Sequence, residues 1–137
     1  MRRIILALVL VLTTAAVSVL PALAGNPHFV TVSATRSGNT LIVTGKEAGL
    51  GDEQQVNIEV NASASCINPG DNHPKAANKE SVSATGTFPV QNGKADFTLN
   101  LTATFQPECA PPMTVVFSSV LVGDLTNSLS VSLAGTF

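Results

Sequence analysis

The sequence predicts an all-β protein: about seven strands in a two-sheet antiparallel sandwich, immunoglobulin-like, held by one disulfide. Three observations carry this expectation. Apolar and polar residues alternate with a period of two along most of residues 25–137. Turn-forming sequences rich in Gly, Asn and Ser cut the chain into short runs, and two cysteines, Cys66 and Cys109, make up the whole thiol complement. Side chains of a strand point to opposite faces at each step, so a two-residue period buries one face and wets the other. A helix with the same pattern would scatter its apolar residues around the axis.

The elements follow in order. Met1-Arg2-Arg3 is a basic start, Ile4 to Leu20 is mostly apolar, and Pro21-Ala22-Leu23-Ala24 ends in small residues. This is the pattern of a secretory signal peptide, with cleavage expected after Ala24. The alternative is a retained membrane anchor. The apolar run is shorter than the roughly 20 residues of a spanning helix, and Thr13, Thr14 and Ser18 dilute it. Residues 25–137 then form one domain, large enough for its own core.

A first strand is expected over His28–Arg36, and "RSGNT" separates it from a second over Thr40–Lys46. "GLGDE" leads to the third, "QQVNIEVNASAS", in which Val56, Ile58, Val60, Ala62 and Ala64 form the apolar set. A long connection, "SCINPGDNHPKAANKES", precedes a fourth strand over Ser81–Val90. "QNGK" carries the Asn-Gly pair favoured in type I′ hairpins. The fifth strand, "KADFTLNLTATF", alternates Ala95, Phe97, Leu99, Leu101, Ala103 and Phe105 with polar residues. The last two runs, Met113–Val122 and Ser128–Leu133, are linked by "LTNS". Seven half-buried strands in a domain of this size fit two sheets packed face to face. A partly closed barrel is the second choice.

In an exported protein an even pair of cysteines reads as one disulfide. Cys66 follows the third strand and Cys109 the fifth, and both strands run into their cysteine from the same direction. The bridge is therefore expected to tie two loops at one end of the sandwich, contributing about 4 kcal/mol by loop entropy.

Composition excludes several functions. With Arg2 and Arg3 in the leader, five basic residues stand against nine acidic ones. A weakly acidic surface suits neither nucleic acid nor anionic lipid, so no nucleic-acid partner and no membrane association after cleavage are expected. The chain has no Trp and no Tyr, the residues that dominate protein-binding hot spots and that commonly stack on sugar rings.

The long connection concentrates the candidate binding residues: Asp71, Asn72, His73, Lys75, Asn78 and Lys79. Loops on a rigid sandwich are where such folds place recognition. The same residues are ordinary turn formers, and a plain connector is the competing reading. No metal is expected, because the spacing matches no zinc or EF-hand motif. Calcium would need several more oxygens from elsewhere, such as Asp52 and Glu53 in the other loop. No cofactor and no enzyme activity are expected. The serines lack a nucleophile elbow, His28 and His73 lack a triad context, and both cysteines go into the bridge. "PECAPPMT", Pro107 to Thr114, resembles the stiffened loop of a protease inhibitor, in which pre-ordering lowers the entropy cost of binding. Its Ala110-Pro111 step is a poor mimic of a cleavable bond, and a crosslinked turn is the competing reading. "NAS" at Asn61 and "NLT" at Asn100 match the glycosylation sequon on polar strand faces.

The blocks "NPHFVTVSATRSGNTLIVTGKEAGLG" and "CINPGDNHPKAANKE" resemble a family of small secreted β-sandwich proteins of actinobacteria. The likeness extends over nearly all of residues 25–137. It implies an extracytoplasmic location in a Gram-positive bacterium and transfers no catalytic residue. "VTGKEAGL", "CINP" and the closing strand ending at Phe137 are similar to the enediyne-chromoprotein (neocarzinostatin-like) apoproteins. Those are exported seven-stranded sandwiches that carry a small apolar molecule, and they have two disulfides where this chain can form one.

The function expected from all this is a secreted, non-catalytic sandwich that binds an extracellular protein or surface component through disulfide-tethered loops. A carrier of a small apolar ligand and a protease inhibitor are the alternatives.

Overall fold

The computed structural model describes residues 25–70 and 78–137; the expected signal peptide, residues 1–24, lies outside them. Seven strands follow in order: β1 His28–Ser37, β2 Thr40–Ala48, β3 Gln55–Ile67, β4 Lys79–Pro89, β5 Lys94–Thr102, β6 Thr114–Asp124 and β7 Leu129–Thr136. No α-helix occurs among the described residues. One sheet has the order β1-β2-β5 and the other β4-β3-β6-β7, with every neighbouring pair antiparallel. In a constant-type immunoglobulin domain the fourth strand sits beside the fifth. Here it has crossed to the second sheet and pairs with β3.

That crossing changes the meaning of the Asn-Gly turn. Asn92 and Gly93 have φ of 52° and 71°, both positive as a type I′ turn requires. Gln91 and Lys94 exchange backbone hydrogen bonds of 2.8 and 3.1 Å. The ladder stops there. β4 pairs along its whole length with β3 and β5 with β2, so the turn is a corner between sheets rather than the tip of a hairpin. The gain is burial from both sides: β4 brings Val82, Ala84 and Phe88 against the core, and β5 brings Phe97, Leu99 and Leu101 from the opposite sheet.

The core follows the two-residue period closely. In β3, Val56, Ile58, Val60, Ala62, Ala64 and Cys66 are all buried. Cys66 therefore lies inside the strand rather than past its end. β5 stops at Thr102, three residues short of the expected limit, because its ladder partner β2 begins at Thr40, opposite Thr102. The burial pattern still runs on through Ala103 and Phe105. Ala103 N donates to Asn39 O at 2.9 Å, and Thr104 N donates to Glu80 Oε1 at 2.6 Å.

β2 runs two residues past the expected Lys46, since His28 and Lys94 flank Ala48 on either side. Its inward positions are Leu41, Val43, Gly45 and Glu47. Gly45 lies opposite Phe97, and a Cβ there would fall inside the van der Waals surface of the Phe97 ring. Glycine at this step lets Phe97 pack edge-on against Phe29, with ring centroids 6.1 Å apart, and tilted against Phe88 at 6.0 Å.

β6 carries a bulge. Asn61 pairs with Leu121 and Ser63 with Ser118, so Ala62 alone opposes Ser119 and Val120. Ser119 takes φ of 52°, and the extra residue inverts the inward face of the strand. Before it, Val115 and Phe117 point into the core; after it, Val120, Val122 and Asp124 do.

Candidate functional site

The end of the sandwich reached by β3 is closed by the Cys66–Cys109 disulfide, with Cα atoms 5.7 Å apart. Both cysteines are buried, and Met113 Sδ packs 3.7 Å from Cys66 Sγ. The loop from Gln106 to Met113 is thereby held against the end of β3. Within it, Ala110 N donates to Glu108 O and Met113 N to Ala110 O, each at 3.0 Å. The β1–β2 turn arrives at the same end, where Arg36 Nη1 donates to Gly38 O at 3.2 Å.

Two open hollows meet at Asn39. One, of about 320 Å³, lies between Arg36, Gly38 and Asn39 on one side and Cys109, Pro111 and Met113 on the other. The second, of about 360 Å³, runs from Asn39 along Thr102–Gln106 to Glu108. This end thus presents Arg36, Glu108 and backbone polar groups around apolar floor contributed by Met113, Val115 and Phe105. Shape and mixed polarity of this kind suit recognition.

Of the six loop residues singled out in the sequence, Asp71, Asn72, His73 and Lys75 lie outside the described residues. Asn78 is half-buried and Lys79 is exposed. Lys79 opens β4 opposite Ser65, one step from Cys66, so the return of this loop lies at the disulfide end. Asp52 and Glu53 cannot complete a cation site there. They precede β3, whose 13 residues put about 40 Å between its two ends. Asn61 and Asn100 are exposed on the outer faces of β3 and β5.

The opposite end holds polar residues that the sequence reading passed over. Glu47 and Asp124 are buried, at 0% and 1% exposure. Asp124 Oδ1 accepts from Thr126 N at 2.8 Å and Asn127 N at 3.3 Å, and Asp124 Oδ2 accepts from Asn127 Nδ2 at 2.6 Å. Asn127 Nδ2 also donates to Glu53 Oε2 at 3.1 Å. Neither carboxyl oxygen of Glu47 meets an N–H or O–H donor among the described residues. Burial pushes the Glu47 carboxyl up to about 8, helped by hydrogen bonding to Asp124 and by the negative charges of Asp124 and Glu53. The signal for Glu47 was its place in the inward series Leu41, Val43, Gly45. For Asp124 no such signal existed, because the bulge reverses the phase just before it.

Among the described residues no group of three or more His, Cys, Asp or Glu is arranged to hold a metal ion. No known protein family, curated protein or solved structure matches the chain.

Proposed function

We propose that the chain is an exported, non-catalytic β-sandwich that binds an extracellular protein or a surface component through its disulfide-tethered end. The observation that carries this reading is the Cys66–Cys109 crosslink, which holds the 106–113 loop beside the β1–β2 turn and the start of β4. A pre-ordered surface loses less entropy on binding, and loops on a rigid sandwich can vary without cost to the core. The basic, apolar and small-residue series over residues 1–24 supports export. The disulfide is compatible with an oxidising compartment, and no helix among the described residues is long and apolar enough to cross a membrane.

The carrier reading has less support. The inner faces of β2, β3, β5 and β6 meet through Leu41, Val43, Ile58, Val60, Leu101 and Phe117, each almost wholly removed from solvent. The hollows described above open at the disulfide end, outside that layer.

The test is substitution at the tethered end. His73→Ala, Lys75→Ala and Lys79→Ala together, and separately Arg36→Ala with Glu108→Ala, are expected to leave the melting temperature unchanged. Each set should weaken retention of the native medium's bound component at least tenfold. Undiminished retention by both sets would overturn the assignment of this end. Slowing of a subtilisin-type protease at stoichiometric amounts, abolished by Ala110→Gly, would favour the inhibitor reading instead.

A further inference from the structure

The buried carboxyl pair at the other end is not used by the binding reading. An ionised carboxylate buried without a donor is among the most costly arrangements in a protein. Glu47 would be one: it is fully buried and its oxygens have no N–H or O–H donor among the described residues. Its polar neighbour is Asp124, within hydrogen-bonding reach. Two carboxylates are both acceptors, so a bond between them exists only while one carries a proton. Asp124 already accepts from Thr126 N, Asn127 N and Asn127 Nδ2, whereas Glu47 accepts from no donor and is the carboxyl left to donate. The proton therefore resides on Glu47. The Asn127 amide donates to both Asp124 and Glu53.

We propose that Glu47 and Asp124 share one proton, and that the protonated pair latches the β2–β3 connection to the β6–β7 turn, releasing as the proton is lost. The same elements are also tied by Asn127 Nδ2 donating to Glu53 Oε2 at 3.1 Å. Leu50 N donates to Gly93 O at 3.0 Å and Leu125 N to Asn57 O at 2.8 Å, and Asn57 N donates to Thr126 Oγ1 at 2.9 Å.

Among the described residues the surrounding charges supply no counter-ion. From the β2–β3 connection Glu53 faces the pair, and Asp52 is exposed. On β2 and β5, Lys46, Lys94 and Asp96 belong to the outward face, and Lys46 pairs with Asp96 at 3.4 Å. On β1, His28 is exposed and bonds Asn26 O at 2.7 Å. On β3, Glu59 belongs to the outer face, alternating with buried Ile58 and Val60. Loss of the proton leaves two negative charges facing a third.

The experiment is a carbon-13 NMR titration of the side-chain carboxyls, with amide hydrogen exchange read at Leu50 and Leu125. One carboxyl should titrate near pH 8 rather than near 4.5, and that titration should vanish in Glu47→Gln. Relative to Glu47→Gln at the same pH, opening at Leu50 and Leu125 should grow by up to tenfold per pH unit between these two values. Titration of every carboxyl below pH 6 would overturn the proposal, and so would equal exchange in the two proteins. Stoichiometric uptake of calcium, added alone as its chloride, would overturn it in favour of a cation site. The wild-type titration decides the matter even if Glu47→Gln does not fold.

Discussion

Replacing Glu47 by Gln tests the energetic weight of the buried pair. The amide has the shape of the protonated acid and can still donate to Asp124, but it never ionises. In the wild type the folded-state value is about 8 against an ordinary 4.5. The folded chain therefore holds a proton that the unfolded chain releases between these values. The associated stability is fully present below pH 4.5 and is lost as the pH rises through 8, after which it levels off. At 1.36 kcal/mol per unit, the interval sets a ceiling of about 5 kcal/mol. Water entering a cluster at the end of a sandwich lowers this, and about 2–4 kcal/mol is the expected change. Glu47→Gln should match the wild type within about 1 kcal/mol at pH 5 and exceed it by about 2–4 kcal/mol at pH 8.5. With no Trp or Tyr to report unfolding, the assay is urea denaturation followed by far-ultraviolet circular dichroism, with the disulfide intact. Parallel stability curves for the two proteins from pH 5 to 8.5 would refute the reasoning.

Further outcomes are expected from the fold. Gly45→Ala would push a methyl group into Phe97, and the loss should be about 1–3 kcal/mol in urea denaturation. Phe97→Leu should recover part of that loss in the double variant, since the shorter side chain vacates the contact. Removing the bridge with Cys66→Ala and Cys109→Ala frees a loop of 43 residues' separation. This should lower stability by about 2–4 kcal/mol and weaken retention of the partner, because the 106–113 loop loses its tether.

Much of the fold was legible along the chain. Alternation at Val56–Ala64 and Ala95–Leu101 marked the central strands, and Asn92-Gly93 marked its own turn, because these are local consequences of backbone geometry and side-chain polarity. The pairing of Cys66 with Cys109 was legible from count and direction. The limits of β2 and β5 were not. Glu47 extends β2 past Lys46 because His28 and Lys94 pair with Ala48 on either side, and neither partner adjoins β2 in sequence. Phe105 keeps the apolar phase although its ladder partner has ended. The candidate site was legible only as a region: the bridge and the 106–113 loop could be placed at one end, but not the hollows that meet at Asn39.

By itself the order of residues determined that strands would form, where most of them turn, and that one covalent tie would close one end of the sandwich. Tertiary structure alone decided that β4 leaves β5 for β3, that Ser119 reverses the phase of β6, and that Glu47 meets Asp124 across the two sheets. The physical reason is the range of the interactions. Turn and strand preferences act over a few residues, whereas partner choice and the burial of a charge are settled by groups distant in sequence, which come together only when both layers close.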